Sequence, residues 1–93
     1  MKEWYVYIIF CNDNSLYTGI TTDIKKRYTQ HRLGVGAKYF RMRRPVQLVY
    51  IENQHNRSSA SRREIEIKSL NRATKLELLE LPGNQFLNIF WQS

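Results

Sequence analysis

Two short runs of apolar and aromatic residues flank one polar turn near the N-terminus, and this pattern limits the fold more than any other feature. Trp4-Tyr5-Val6-Tyr7-Ile8-Ile9-Phe10 leads into Asn12-Asp13-Asn14-Ser15 and returns as Leu16-Tyr17-Thr18-Gly19-Ile20. β-Branched and aromatic side chains suit a pleated surface, and a short polar turn between two such runs signals a hairpin. Two antiparallel strands are expected over residues 4–10 and 16–20. Their pairing brings Tyr7 and Tyr17 together across ten positions of sequence. A slip of one residue would turn one ring to the opposite face.

Beyond the hairpin, Thr21-Thr22-Asp23 offers capping oxygens where a helix would start. Ile24, Tyr28 and Leu33 follow at helical spacing before Gly34. Gly34-Val35-Gly36-Ala37 and the basic stretch to Pro45 predict a loop, with a helical turn over Lys38 to Met42. Val46 to Ile51 has strand composition. Ser58-Ser59-Ala60-Ser61 then supplies caps, and Ser61 with Glu64 fits a capping box for a helix to about Asn71. Ile65, Ile67 and Leu70 are expected to face the core. Thr74 is the expected cap of a third helix carrying Leu76, Leu78, Leu79 and Leu81, stopped by Pro82-Gly83. The fold class is α+β, a small three-stranded, mainly antiparallel sheet flanked by helices in the order β-β-α-β-α-α. The apolar tail (82–93), with Phe86, Leu87, Ile89, Phe90 and Trp91, either packs back on the domain or buries itself in a partner protein.

At 93 residues the chain supports one modest core and so a single domain, 1–93. Lys and Arg outnumber Asp and Glu by 15 to 8, for a net charge of +7, which implies an acidic partner. A membrane is the weaker choice, because the apolar run at 4–10 is broken by tyrosines and falls well short of the roughly 20 residues of a spanning helix. No export signal is evident, so the cytoplasm is expected. Cys11 is the only cysteine, so no internal disulfide forms, and with only His31 and His55 beside it there is no zinc-ligand set.

The charge is concentrated. Between Ile24 and Ile51 there is no Asp or Glu, yet Lys25, Lys26, Arg27, Arg32, Lys38, Arg41, Arg43 and Arg44 all fall there, interleaved with Tyr28, Tyr39 and Phe40. Such a segment reads as a surface that tracks phosphates and stacks bases; its plainer alternative is a solvated helix face. Binding a polyanion is not cutting it. Hydrolysis needs an oxygen nucleophile, a clamp on the phosphate and help for the leaving oxygen. The acids Glu3, Asp13, Asp23, Glu52, Glu64, Glu66, Glu77 and Glu80 form no dense cluster of the kind two ions require. One ion on one carboxylate, completed by water and phosphate, is the economical alternative, and Glu64 is the best placed. Arg27 and His31, four apart on the first helix, share a face and could meet one phosphate, though surface pairs show the same spacing.

These residues occur together in an order that resembles the GIY-YIG nuclease superfamily, and within it the compact UPF0213-type bacterial proteins. The resemblance rests on Tyr5-Val6-Tyr7, Tyr17-Thr18-Gly19, Arg27 followed by His31, Gly34 to Tyr39 running to Pro45, and Ala60 leading to Glu64-Ile65-Glu66-Ile67-Lys68. It covers about residues 4–72. Tyr5 stands where the motif has its first Gly, and Thr18 where it has its second Ile. The resemblance implies an endonuclease that hydrolyses DNA phosphodiester bonds with one Mg²⁺ or Mn²⁺ on Glu64. It also implies roles: Tyr7 to orient or deprotonate the attacking water, Tyr17 to bind phosphate, and Arg27 to stabilise charge growing there. His31 would accept a proton from Tyr7 or contact phosphate, and Lys38 and Tyr39 would steer substrate. The late Asn of many relatives is matched to neither Asn71 nor Asn84. The substrate would be DNA in single-stranded, branched or damaged form. The alternative is a nucleic-acid-binding module of the same fold with little or no turnover.

Overall fold

In the computed structural model, which describes residues 2–87 and 89, the run at the N-terminus is apolar throughout because both its faces are covered. It forms β1 (Trp4–Cys11), which pairs antiparallel with β2 (Leu16–Thr21) on one side and β3 (Pro45–His55) on the other, giving the sheet order β2-β1-β3. Alternate β1 residues join different cores. Val6 and Ile8 pack with Tyr50, Ala60 and Ile67, whereas Tyr7, Ile9 and Cys11 pack with Ile24, Phe40, Leu48 and Ile51. Val6, Ile8, Ile9 and Ile51 are wholly buried, and each such aliphatic side chain contributes about 1.5–3 kcal/mol.

The chain has the expected α+β order, with the helical turn anticipated near Lys38 present as a four-residue helix. The helices are α1 (Ile24–Arg32), α2 (Tyr39–Met42), α3 (Arg57–Ser69) and α4 (Arg72–Leu78). Asp23 caps α1 by accepting from the Lys26 amide at 3.1 Å. At its other end the Gly34 and Val35 amides donate back to His31 and Gln30 carbonyls, a Schellman closure with Gly34 at φ 77°. Both features were legible in the sequence.

Three expectations are corrected. β3 runs to His55 rather than Ile51, since its last residues are polar but still pair with β1. α3 starts at Arg57, five residues after Glu52, because Asn56 and not Ser61 forms the capping box: its Oδ1 accepts from the Ser59 amide at 2.8 Å, and Ser59 Oγ accepts from the Asn56 amide at 3.1 Å. Asn71 likewise displaces Thr74 as the cap of α4, accepting from the Thr74 amide at 2.9 Å. Ala60 and Ile67, seven residues apart, lie on one buried stripe of α3, whereas Ile65, two residues before Ile67, falls roughly 200° round the helix and is 69% exposed rather than part of the core. Leu76 and Leu81 are exposed as well, while Leu78 and Leu79 pack inward.

Of the apolar tail, Phe86 and Ile89 pack against the core that holds Tyr7, whereas Leu87 is exposed and Phe90 and Trp91 lie outside the described residues. Asn84 secures this return. Its Oδ1 accepts from the Ile51 and Phe86 amides, and its Nδ2 donates to the Val49 and Leu79 carbonyls at 3.0 Å. Four backbone groups would lose their partner together, so Asn84→Ala is expected to destabilise the protein by about 2–4 kcal/mol in urea melts. Gly83→Ala, whose new Cβ meets nothing within 4 Å, is expected to change stability little.

Candidate active site

Pairing places Tyr7 opposite Gly19 and Ile9 opposite Tyr17, so both tyrosines lie on one face of the sheet. Their ring centroids are 6.2 Å apart. The glycine makes this approach feasible: a Cβ at position 19 would sit 2.5 Å from the Tyr7 hydroxyl and 3.1 Å from the Tyr17 ring. Gly19 is therefore the floor beneath the two phenols, a steric reason for the third letter of Tyr17-Thr18-Gly19.

His31 lies behind them. It is 1% exposed, with its Nε2 2.7 Å from the Tyr7 hydroxyl and its ring 5.3 Å from Tyr17 and 4.4 Å from Phe40. Burial, reinforced by the Arg27 charge, pushes its pKa down to about 4, so it is neutral at pH 7. Its Nδ1 is buried without a partner. An orphaned N–H is the costlier of the two options, so the favoured tautomer carries its proton on Nε2 and donates to the Tyr7 oxygen. Such burial keeps His31 from touching a phosphate, one of its two expected roles. Burial also raises the Tyr7 pKa far above that of a free phenol; the neighbouring Tyr17 adds to the rise, Arg27 opposes it through a hydrogen bond and its charge, and Glu64 adds a smaller upward push. Tyr17 shifts upward for the same first cause, burial. Tyr7 is a neutral phenol at pH 7.

Arg27 is clamped rather than loose. Its Nη1 donates to Gln30 Oε1 at 3.0 Å and its Nη2 to the Gly36 carbonyl at 3.2 Å. Gly36 adopts φ 94°, and a Cβ there would fall 2.5 Å from Arg27 Nη1. The clamp explains why a glycine follows the helix by this spacing.

Glu64 comes from the other layer. Ala60, Glu64 and Ile67 share the stripe of α3 that faces the sheet, and α3 packs against β2, the edge strand. A carboxylate on such a stripe is retained when it keeps some solvent access and a partner, and Glu64 has both. Its side chain is 23% exposed and pairs with Lys68 Nζ at 3.2 Å. Its charge is felt by both phenols. Arg63 fixes the rotation of the helix by donating to both Glu52 oxygens at 3.1 Å, and His55 Nε2 contacts the same carboxylate at 2.7 Å.

The expected phosphate-tracking residues divide. Lys25, Lys26, Arg32, Lys38, Arg41 and Arg44 are exposed, and Arg32, Arg41, Arg43 and Arg44 line one cleft of about 610 Å³. Arg43 is already engaged. Its Nε lies 2.5 Å from Asp13 Oδ2 and its guanidinium 4.3 Å over the Tyr39 ring, while the Tyr39 hydroxyl bonds Ser15 Oγ. Ser15 and Arg43 hold Asp13 well below the usual carboxylate range, at about 2. Tyr39 and Arg43 thus pin the basic loop to the hairpin turn. Phe40, expected to stack on bases, is instead 3% exposed and packs against Tyr17 and His31; sequence reasoning did not single out Gln30, which only its spacing from Arg27 could have suggested.

Among the described residues no three or more His, Cys, Asp or Glu side chains gather around a common point. The donor set therefore fits an ion with one protein ligand and the rest water and phosphate oxygen, which Mg²⁺ accepts. No helix among the described residues is long and apolar enough to cross a membrane.

The profile of the GIY-YIG catalytic domain matches residues 3–77, and the chain belongs to the GIY-YIG family. Its relatives are UPF0213 proteins of bacteria and archaea. One from Staphylococcus haemolyticus is 52% identical over 80 residues, covering 86% of this chain and 98% of its own. Another, from Haloquadratum walsbyi, is 55% identical over 76 residues, covering 82% and 85%. The solution structure of a UPF0213 protein from Bacillus halodurans aligns with a TM-score of 0.56 at 42% identity, covering 98% of this chain and 97% of its own. Membership puts the site on a nuclease fold, in a family that generally uses a divalent metal; the relatives' names specify no activity.

Two outcomes are expected from this geometry. Gly19→Ala should displace the Tyr7 hydroxyl, which would appear as loss of the Tyr7–His31 contact in aromatic NMR spectra with the sheet retained. Acid should weaken the fold through His31: below pH 6.5 the unfolded chain takes up a proton that the folded chain refuses until about pH 4. Stability is full above pH 6.5 and falls as pH drops, by on the order of 3 kcal/mol from this group. Urea melts between pH 7 and 4.5 should show a shallower decline for His31→Gln than for wild type.

Proposed function

We infer that this chain is an endonuclease that hydrolyses DNA phosphodiester bonds with a single Mg²⁺ or Mn²⁺ held by Glu64. One arrangement carries the reading: a half-buried carboxylate on the stripe of α3 that packs against β2, beside the strand pair on which a glycine floor brings two phenols together. The ion, when bound, would lower the pKa of a water and offset charge on the phosphate. Everything else falls to the protein. Tyr7, a neutral phenol fixed by His31, orients the attacking water instead of removing its proton. Tyr17 contacts the scissile phosphate. Arg27, held by Gln30 and Gly36, presents a rigid guanidinium to the charge that grows as the new P–O bond forms and the ester P–O bond breaks. Lys25, Lys26, Arg32, Lys38, Arg41 and Arg44 attract the strand, and Arg43 joins them only by leaving Asp13.

A second reading, a nucleic-acid-binding module with little turnover, draws on the Lys68 ammonium 3.2 Å from the Glu64 carboxylate, where it competes with a cation. Incubation with supercoiled plasmid and single-stranded oligonucleotides, with Mg²⁺, with Mn²⁺ and with chelator, separates the two. Metal-dependent nicking is expected, falling about 100-fold or more in Arg27→Ala and Glu64→Ala. Binding by Glu64→Ala should remain close to wild type. Salt-sensitive binding without cleavage under any condition would establish the module instead.

A further inference from the structure

Of the expected nucleic-acid residues, Arg32, Lys38, Arg41, Arg43 and Arg44 line the clefts beside Gly36 and Phe40. Arg27 borders a different groove. A depression of about 360 Å³ bordered by Arg27, Lys26 and Gln30 runs to Trp4 and Lys2, and a second of about 730 Å³ continues from Trp4 and Lys2 to Arg57. Because the two share Trp4 and Lys2, they form one track from the candidate active site to the start of α3. Neither Trp4, Lys2 nor Arg57 belonged to the basic segment.

The chemistry of this track is specific. Trp4 is half-buried against the core of Val6 and Ile8, and the Arg57 guanidinium lies 5.8 Å over its ring. An indole with a guanidinium beside it offers a stacking surface and a phosphate ligand at adjacent points. Lys2, Lys26, Arg27 and Arg57 supply positive charge along its length. The acids that border it are committed to the backbone: Glu3 accepts from the Gln54 amide at 2.6 Å and Asp23 from the Lys26 amide at 3.1 Å. The wall beside Trp4 departs from regular pairing. The β1–β3 register jumps between Trp4↔His55 and Val6↔Glu52, with Gln54 in the left-handed region at φ 64°. Such a bulge bends a strand end and re-aims its side chains.

We propose that this track binds the single-stranded nucleic acid that continues from the scissile phosphate, stacking one base on Trp4 and holding its backbone with Arg57 and Lys2. A duplex keeps its bases stacked on each other and cannot offer one to an indole, so the track selects an unpaired strand on that side of the cut. The proposal rests on the nuclease reading for the location of the scissile phosphate, and it adds the form of the substrate.

Binding in chelator tests it without requiring turnover. The chain has two tryptophans, Trp4 and Trp91, so Trp91→Phe leaves Trp4 as the only indole reporter. In that background a 12-nucleotide oligothymidylate is expected to quench Trp4 emission. Arg57→Glu and Lys2→Glu, both at exposed positions, are expected to weaken affinity for the same strand about tenfold while changing affinity for a blunt duplex by less than about twofold. Full-affinity binding by both variants, with Trp4 emission unchanged at saturation, would overturn the track and leave the nuclease reading standing. Quenching by a polyglutamate peptide but not by the oligonucleotide would overturn it in favour of an acidic protein partner. If the wild type binds no nucleic acid even at low salt, the track and the nuclease reading fall together.

Discussion

The closest constraint in this molecule is the contact between Tyr7 and Gly19 across the first hairpin. β1 is the middle strand and has no solvent face, so its alternation divides the protein into two cores rather than an inside and an outside. Tyr7 is thereby committed to the face that α1 covers, and its hydroxyl reaches the site only because residue 19 lacks a Cβ. His31, at 2.7 Å, then fixes that hydroxyl from behind. Shifting the register by one residue would exchange the two cores and dismantle the site in one step.

The candidate site is assembled from two layers that meet at the β2 edge. One layer contributes the phenols, His31 and Arg27; the other contributes Glu64. Each layer has its own means of alignment. Gln30 and Gly36 hold the guanidinium, whereas Glu52 and Arg63 set the rotation of α3 so that its carboxylate lies on the sheet side. A neutral imidazole and a neutral phenol stand side by side in the candidate site, so in the proposed hydrolysis Tyr7 would orient water rather than act as a base.

Much of this was legible in the chain. The hairpin, the cap at Asp23, the end of α1 at Gly34 and the grouping of Tyr7 with Tyr17 follow from local patterns that depend on neighbours in sequence. Legibility fails where long-range packing decides. Three serines within four residues drew the start of α3 toward Ser61, but the end of β3 brings Asn56 to the capping position first. Ile65, two residues from the buried Ile67, falls on the far face and is 69% exposed, whereas Glu64 shares the stripe of Ala60 and Ile67, as their spacings of four and three residues allow. The engagement of Arg43 with Asp13 spans thirty residues and could not be read from a run of basic residues. Asn84, which has the look of a loop residue in sequence, proves to hold the tail, the sheet and the end of α4 together.

The central claim is that one divalent cation is held by Glu64 within reach of both phenols, and paramagnetic NMR tests it directly. Titrating Mn²⁺ into the isotope-labelled protein should broaden resonances of Glu64, Tyr7, Tyr17 and Gly19 first and together, and Glu64→Ala should abolish that selectivity. Broadening centred instead on Glu52, Glu66 or Asp13, or an unchanged pattern in Glu64→Ala, would contradict the account.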